Sequence, residues 1–94
     1  MMRSVSKQHR LGVRIALGSD SGNWPVFLTE FHGPTTLREL VLLEDAGLTP
    51  EEALTAATYT PAEILGIEDQ VGTIAPGMRA DLVVVPGDLS LIHI

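Results

Sequence analysis

One acidic residue, Asp20, follows a short apolar segment, the position at which a catalytic carboxylate is expected. Residues 13–17 are apolar except for Arg14, Gly18 ends the segment, and Asp20 comes two residues later. This pattern is typical of a buried parallel strand that carries a carboxylate at its C-terminal end. In a closed β/α barrel, a polar residue at that end indicates catalysis. Asp20 is therefore our candidate catalytic residue.

The segment after Asp20 carries aromatic side chains in a stretch without helical or strand periodicity. Trp24 and His32 both lie within residues 21–35. A loop of this length over a barrel mouth is typical of an active-site loop, and its aromatic side chains can line a substrate pocket. We predict that Trp24 and His32 bind substrate. Two structural alternatives stay open, in which Trp24 packs at the barrel rim and His32 orients its own loop through hydrogen bonds.

Two serines, Ser19 and Ser21, flank Asp20 without the pattern of a nucleophile. Neither serine lies in a G-x-S-x-G motif, and no histidine lies at a suitable spacing from them. We therefore expect no serine nucleophile here.

Sequence patterns typical of helices lie before and after this loop. Residues 1–10 are polar and basic, and they are consistent with the end of a helix that Gly12 terminates. Three later helices are each predicted by a threonine with a glutamate three residues on, a capping box. Their predicted starts are Thr36, Thr49 and Thr60; the first ends before Gly47 and the third at Gly66.

Two strands are predicted in the last third of the chain. Residues 70–74 and 81–85 are separated by residues 75–79, which contain a Pro-Gly turn. Residues 82–85 form a continuous apolar run, which predicts a strand buried on both faces. A pair of strands is marginally stable alone. We therefore expect these two strands to require further strands as neighbours.

Size and composition limit the possible functions. The 94 residues are fewer than the roughly 250 of a complete β/α barrel. A net charge of −6 argues against nucleic acid and anionic membranes as partners. The absence of cysteine excludes disulfides and thiolate metal sites. No apolar run approaches the roughly 20 residues of a membrane span, and no signal peptide is indicated, so we expect a cytoplasmic protein.

The last six residues differ in kind from the rest. Residues 89–94, with the sequence LSLIHI, match the translated end of a transposase-type sequencing adapter. We expect them to be a non-native tail and exclude them from the fold prediction, as for any fusion scar.

The order of these motifs resembles the C-terminal end of the metal-dependent amidohydrolase superfamily, nearest to its imidazolonepropionase and prolidase-like branch. The resemblance covers about residues 11–88. The motifs that carry it are GSD at 18–20, HG at 32–33, GLTPEEAL at 47–54, AAT at 56–58, TPA at 60–62, GTIAPG at 72–77 and ADLVV at 80–84.

The resemblance implies an α/β fold. Residues 1–67 would supply the terminal strand and helices of a (β/α)8 TIM barrel, with the barrel's eighth strand before Asp20. Residues 68–88 would supply strands to a small composite β-sandwich. The missing N-terminal part of the same barrel would then be a partner of this chain, and a homo-oligomeric whole protein stays open.

The resemblance also implies that Asp20 ligates a catalytic divalent metal and accepts a proton from metal-bound water. Zn²⁺ is the expected metal. Carboxylate oxygen suits zinc, and the metal lowers the pKa of its water. One or two ions would be bound in the whole protein. However, the family's His-x-His pair, its bridging lysine or glutamate and its two later histidines are absent from this sequence. Three protein ligands are the usual minimum for catalytic zinc, so we expect this chain alone to be inactive.

The implied function is a metal-dependent hydrolase of amide or other carbon–nitrogen bonds. Its small-molecule substrate would be a cyclic amide or a dipeptide-like compound. The alternative is a free-standing small α/β protein that binds a ligand without catalysis.

Overall fold

The computed structural model describes residues 2–21 and 34–88, which contain four helices. The helices are α1 (Met2–Arg10), α2 (Pro34–Asp45), α3 (Pro50–Ala57) and α4 (Tyr59–Leu65). Each helix packs against the next, α1 on α2, α2 on α3 and α3 on α4. None of these four helices has the length and apolar character that crossing a membrane requires.

Glycines terminate three of the helices as predicted. Gly12, Gly47 and Gly66 have φ of 81°, 108° and 74°, in the left-handed region that side chains other than glycine rarely adopt. After α1, the Gly12 N–H donates to the His9 carbonyl at 3.1 Å and the Val13 N–H donates to the Gln8 carbonyl at 3.0 Å. This Schellman pair satisfies helix-end carbonyls, and equivalent pairs follow α2 and α4.

The start of α3 is also as predicted. Thr49 is the N-cap, and its Oγ1 accepts the Glu52 N–H at 3.2 Å. Pro50 occupies the first turn, where the missing N–H costs nothing.

Two predicted helix starts were wrong. Helix α2 begins at Pro34, so Thr36 lies inside its first turn, and the Thr36 hydroxyl donates to Ser19 Oγ. Helix α4 begins at Tyr59, after an N-cap at Thr58 that makes no side-chain capping bond. Thr60 is instead buried within α4. Thr36 thus makes a long-range hydrogen bond and Thr60 lies in the packed interior, and neither serves as the N-cap.

The core lies between α2, α3 and residues 13–17. Its buried members are Leu43, Leu48, Ala53 and Ala56, with Val5, Ile15, Leu17 and Leu40 packed against them. The two alanines allow α3 to approach its neighbours closely, and Ala53 is only 1% exposed. Residues 13–17 are thus held on α3 by apolar contacts and by the Leu17 N–H, which donates to the Ala56 carbonyl at 2.7 Å.

No strand forms within residues 2–21 and 34–88, so the strands predicted at 13–17, 70–74 and 81–85 are absent there. A strand requires a neighbouring strand to satisfy its N–H and C=O groups. Residues 13–17 meet a helix instead, and Val84 is 95% exposed. The β-sandwich therefore stays a prediction.

The segment after α4 folds back onto that helix at Gly72. The φ of Gly72 is 98°, and a Cβ there would lie 2.9 Å from the Thr58 carbonyl oxygen and 3.0 Å from the Ala62 Cβ. Only glycine meets the requirements at position 72.

The predicted Pro76-Gly77 turn is also present, with the Met78 N–H donating to the Ala75 carbonyl at 3.2 Å.

Candidate functional site

Asp20 lies at the end of the segment that packs on α3. Its side chain is exposed, and it makes at least one further interaction within the protein. Asp20 has a φ of 53° and is the only residue other than glycine with positive φ in the described ranges. Aspartate tolerates this conformation better than most residues, and such a conformation persists where surrounding contacts impose it.

Three hydroxyl groups surround the backbone at Asp20. Ser19 Oγ and Ser21 Oγ lie 2.6 Å apart, and the Ser21 N–H donates to Ser19 Oγ at 3.3 Å. The Thr36 hydroxyl donates to the same Ser19 oxygen at 3.1 Å. The network therefore joins both neighbours of Asp20 to the first turn of α2. This contact between Ser19 and Thr36 was not predicted from the sequence, since 16 residues separate the two and no local spacing links them.

A separate open groove lies between α1, residues 12–15 and α3. Its volume is about 410 Å³, and its lining includes Val13, Ile15, Leu48 and the ion-paired His9 and Glu52. His9 Nε2 lies 2.6 Å from Glu52 Oε2. His9 is half-buried, and its ion pair with Glu52 joins α1 to α3. Asp20 does not line this groove.

Charged side chains also join residues 13–17 to α4. Arg14 forms an ion pair with Glu63, and the Tyr59 hydroxyl donates to Glu63 Oε2 at 3.3 Å. The negative charge of Glu63 raises the pKa of Tyr59 above its ordinary value of 10.0, and burial and the hydrogen bond to Glu63 act in the same direction. This cluster is structural, because it secures α4 to the segment that leads to Asp20.

The other predicted site residues, Trp24 and His32, lie outside the described residues. Their assignment to substrate binding stays a prediction. The tail at 89–94 likewise lies outside the described ranges.

The described residues do not form a complete metal site. A carboxylate oxygen is a ligand that Zn²⁺ accepts, so Asp20 alone suits one coordination position. Across residues 2–21 and 34–88, however, no group of three or more His, Cys, Asp or Glu side chains could hold an ion. Catalytic zinc needs three protein ligands. No reaction step through a metal can therefore be built from these residues.

Comparison with known proteins shows a relationship along almost the entire chain. Residues 2–92 match the amidohydrolase family. Imidazolonepropionase from Deinococcus deserti is 43% identical over 74% of this chain. The 5'-deoxyadenosine deaminase of Methanobrevibacter smithii is 35% identical over 72% of it. The 5-methylthioadenosine/S-adenosylhomocysteine deaminase of Teredinibacter turnerae is 33% identical over 85% of it.

The chain spans only 16%, 16% and 19% of the lengths of these three relatives. No solved structure matches it. The predicted resemblance to imidazolonepropionases is confirmed, and the similarity to deaminases was not predicted.

Proposed function

Since this chain belongs to the amidohydrolase family, we propose that it is the part of a carbon–nitrogen hydrolase that supplies Asp20 to the active site. The observation that carries the proposal is the family match over residues 2–92, which includes Asp20. The relatives support the bond type, because two of them are named as deaminases and one as an imidazolonepropionase.

The geometry at Asp20 is consistent with this role. A catalytic side chain must be held by a rigid scaffold and still be accessible to its ligand. The segment before Asp20 is packed on α3, Ser19 and Ser21 are hydrogen-bonded on either side, and the Asp20 side chain is exposed. We propose that this carboxylate is a ligand for a divalent metal, with zinc as the expected ion.

The proposal requires further residues besides those described. Two or more ligands must complete the coordination sphere, and we propose that another part of the same barrel provides them. We further propose that the chain alone does not turn over substrate, and that Trp24 and His32 contact a small substrate such as a cyclic amide or a dipeptide-like compound.

The proposal is tested by transplanting this chain into a relative. The region of the Deinococcus deserti imidazolonepropionase that corresponds to this chain is replaced by it. Bound metal is then measured by mass spectrometry, and hydrolysis is measured with that enzyme's own substrate. We expect the chimera to bind metal and to be active, and Asp20→Asn to lose both by more than about 100-fold.

Asp69→Asn is the matched control, because Asp69 is an exposed aspartate in the turn after α4. It should keep metal and activity. If Asp20→Asn behaved like Asp69→Asn in an active chimera, Asp20 would not be a ligand. A chain that is active by itself would contradict the requirement for further ligands.

A further inference from the structure

The left-handed backbone at Asp20 must be maintained by its surroundings. A non-glycine residue at a φ of 53° is held in a sparsely populated region. The residue before Asp20 and the residue after it are both serines. Besides the interaction of Asp20 itself, the hydrogen bonds of these two serines act on the backbone immediately before and after it.

Ser19 is at the centre of that network. Its oxygen accepts two hydrogen bonds, from the Ser21 N–H at 3.3 Å and from the Thr36 hydroxyl at 3.1 Å. A serine oxygen has two lone pairs and one proton to donate. Because both lone pairs are used, the 2.6 Å contact between Ser19 Oγ and Ser21 Oγ is made by the Ser19 proton. Ser19 thus uses its full hydrogen-bonding capacity, and Ser21 is the acceptor.

These three bonds fix the chain on both sides of Asp20. The two bonds between Ser19 and Ser21 close a tight turn whose central residue is Asp20, and the bond from Thr36 attaches that turn to α2. The attachment crosses 17 positions of sequence. It therefore limits the position of the turn as well as its shape.

We propose that Ser19 is a positioning residue that holds Asp20 in its left-handed conformation and anchors it to α2. Its consequence for catalysis rests on the proposed function of Asp20, whereas its conformational role does not. Residues that orient a ligand by hydrogen bonding typically change metal affinity or activity by roughly 10–100-fold when they are removed. The side chain of Ser19 acts through Asp20 and needs no contact with substrate.

The conformational role is tested on the full 94-residue chain by NMR. The intraresidue HN–Hα nuclear Overhauser effect of Asp20 is measured, because it is strong at positive φ. We expect Ser19→Ala to weaken it and Ser19→Thr, which keeps the hydroxyl, to preserve it. Ser4→Ala removes an exposed serine of α1 and should leave it unchanged. An unchanged effect in Ser19→Ala overturns the proposal, whatever the chain's activity.

The functional consequence is measured in the imidazolonepropionase chimera. Ser19→Ala should reduce metal affinity or kcat by roughly 10–100-fold with little change in KM, and Ser19→Thr should restore most of the loss. Full metal affinity and full kcat in Ser19→Ala, despite an altered Asp20 conformation, would overturn this consequence. If the unsubstituted chimera bound no metal, the proposed function would fail, while the NMR result would still decide the role of Ser19.

Discussion

Replacing Gly72 by alanine provides the most specific test of how the C-terminal segment packs on α4. Two costs add at this position. The φ of 98° strains any residue with a Cβ, which costs roughly 1–2 kcal/mol. The new Cβ would also lie 2.9 Å from the Thr58 carbonyl oxygen and 3.2 Å from the Tyr59 Cα. These are backbone atoms that cannot rotate away, and overpacking of this kind costs about 1–3 kcal/mol.

Gly77→Ala is the matched control. Gly77 has a similar φ of 86°, but a Cβ there would meet nothing within 4 Å. Alanine also restricts the unfolded chain at both positions, which offsets about 0.4–1 kcal/mol of the loss. We expect Gly77→Ala to cost about 1 kcal/mol and Gly72→Ala about 2–4 kcal/mol. The difference between the two variants isolates the contact with α4.

The free energy of unfolding of the full chain is measured by denaturant and thermal unfolding, with circular dichroism as the signal. For a domain of this size, each kcal/mol lowers Tm by about 4–8 °C, so the two variants should be clearly separated. Equal losses for Gly72→Ala and Gly77→Ala would refute the close approach of residue 72 to α4. The result also bears on the GTIAPG motif, because steric exclusion at its first glycine would explain why that residue type occurs there.

Three further outcomes are expected. Thr49→Ala should lower the free energy of unfolding by about 1 kcal/mol, because the Glu52 N–H loses its acceptor, and Thr49→Ser should retain most of the stability in the same unfolding assay. Leu48→Ala should cost about 2 kcal/mol or more, since Leu48 is 6% exposed, whereas Leu65→Ala, at 72% exposed, should change stability by less than about 0.5 kcal/mol. Ultraviolet absorbance titration should give Tyr59 a pKa above 10.0, and Glu63→Gln should lower that pKa. An unchanged pKa in Glu63→Gln would contradict the negative charge of Glu63 as the cause of the shift. Because the pKa of Tyr59 is raised in the folded state, its shift contributes fully to the free energy of unfolding below pH 10. That contribution is lost as the pH rises through the folded-state pKa.

The candidate site was predictable from sequence only in part. Asp20 was proposed because an apolar run followed by glycine and an acid is a local pattern, and its role as a metal ligand stays a prediction. The hydroxyl bond from Thr36 to Ser19 was not predictable, since Thr36 carried a stronger local signal as the start of a capping box. The partner of His9 was not predictable either, since Glu52 lies on another helix, far along the chain.

The strand predictions were also limited, because strand formation depends on neighbours that local sequence does not specify. The composition of residues 13–17 and 82–85 is typical of buried strands, yet the described residues form none. Side-chain preference can favour an extended chain, but only neighbouring strands can satisfy its backbone hydrogen bonds. Here residues 13–17 pack on α3 and use the Ala56 carbonyl instead.

The sequence by itself determined where the helices stop and how α3 begins. Gly12, Gly47, Gly66 and Thr49 act on groups within a few residues of themselves, so their effects follow from local order alone. Tertiary structure alone decided which side chains support Asp20, how Gly72 meets α4 and which partner His9 finds. Those contacts join residues far apart in the chain, and their energies depend on distances that exist only once the helices have packed.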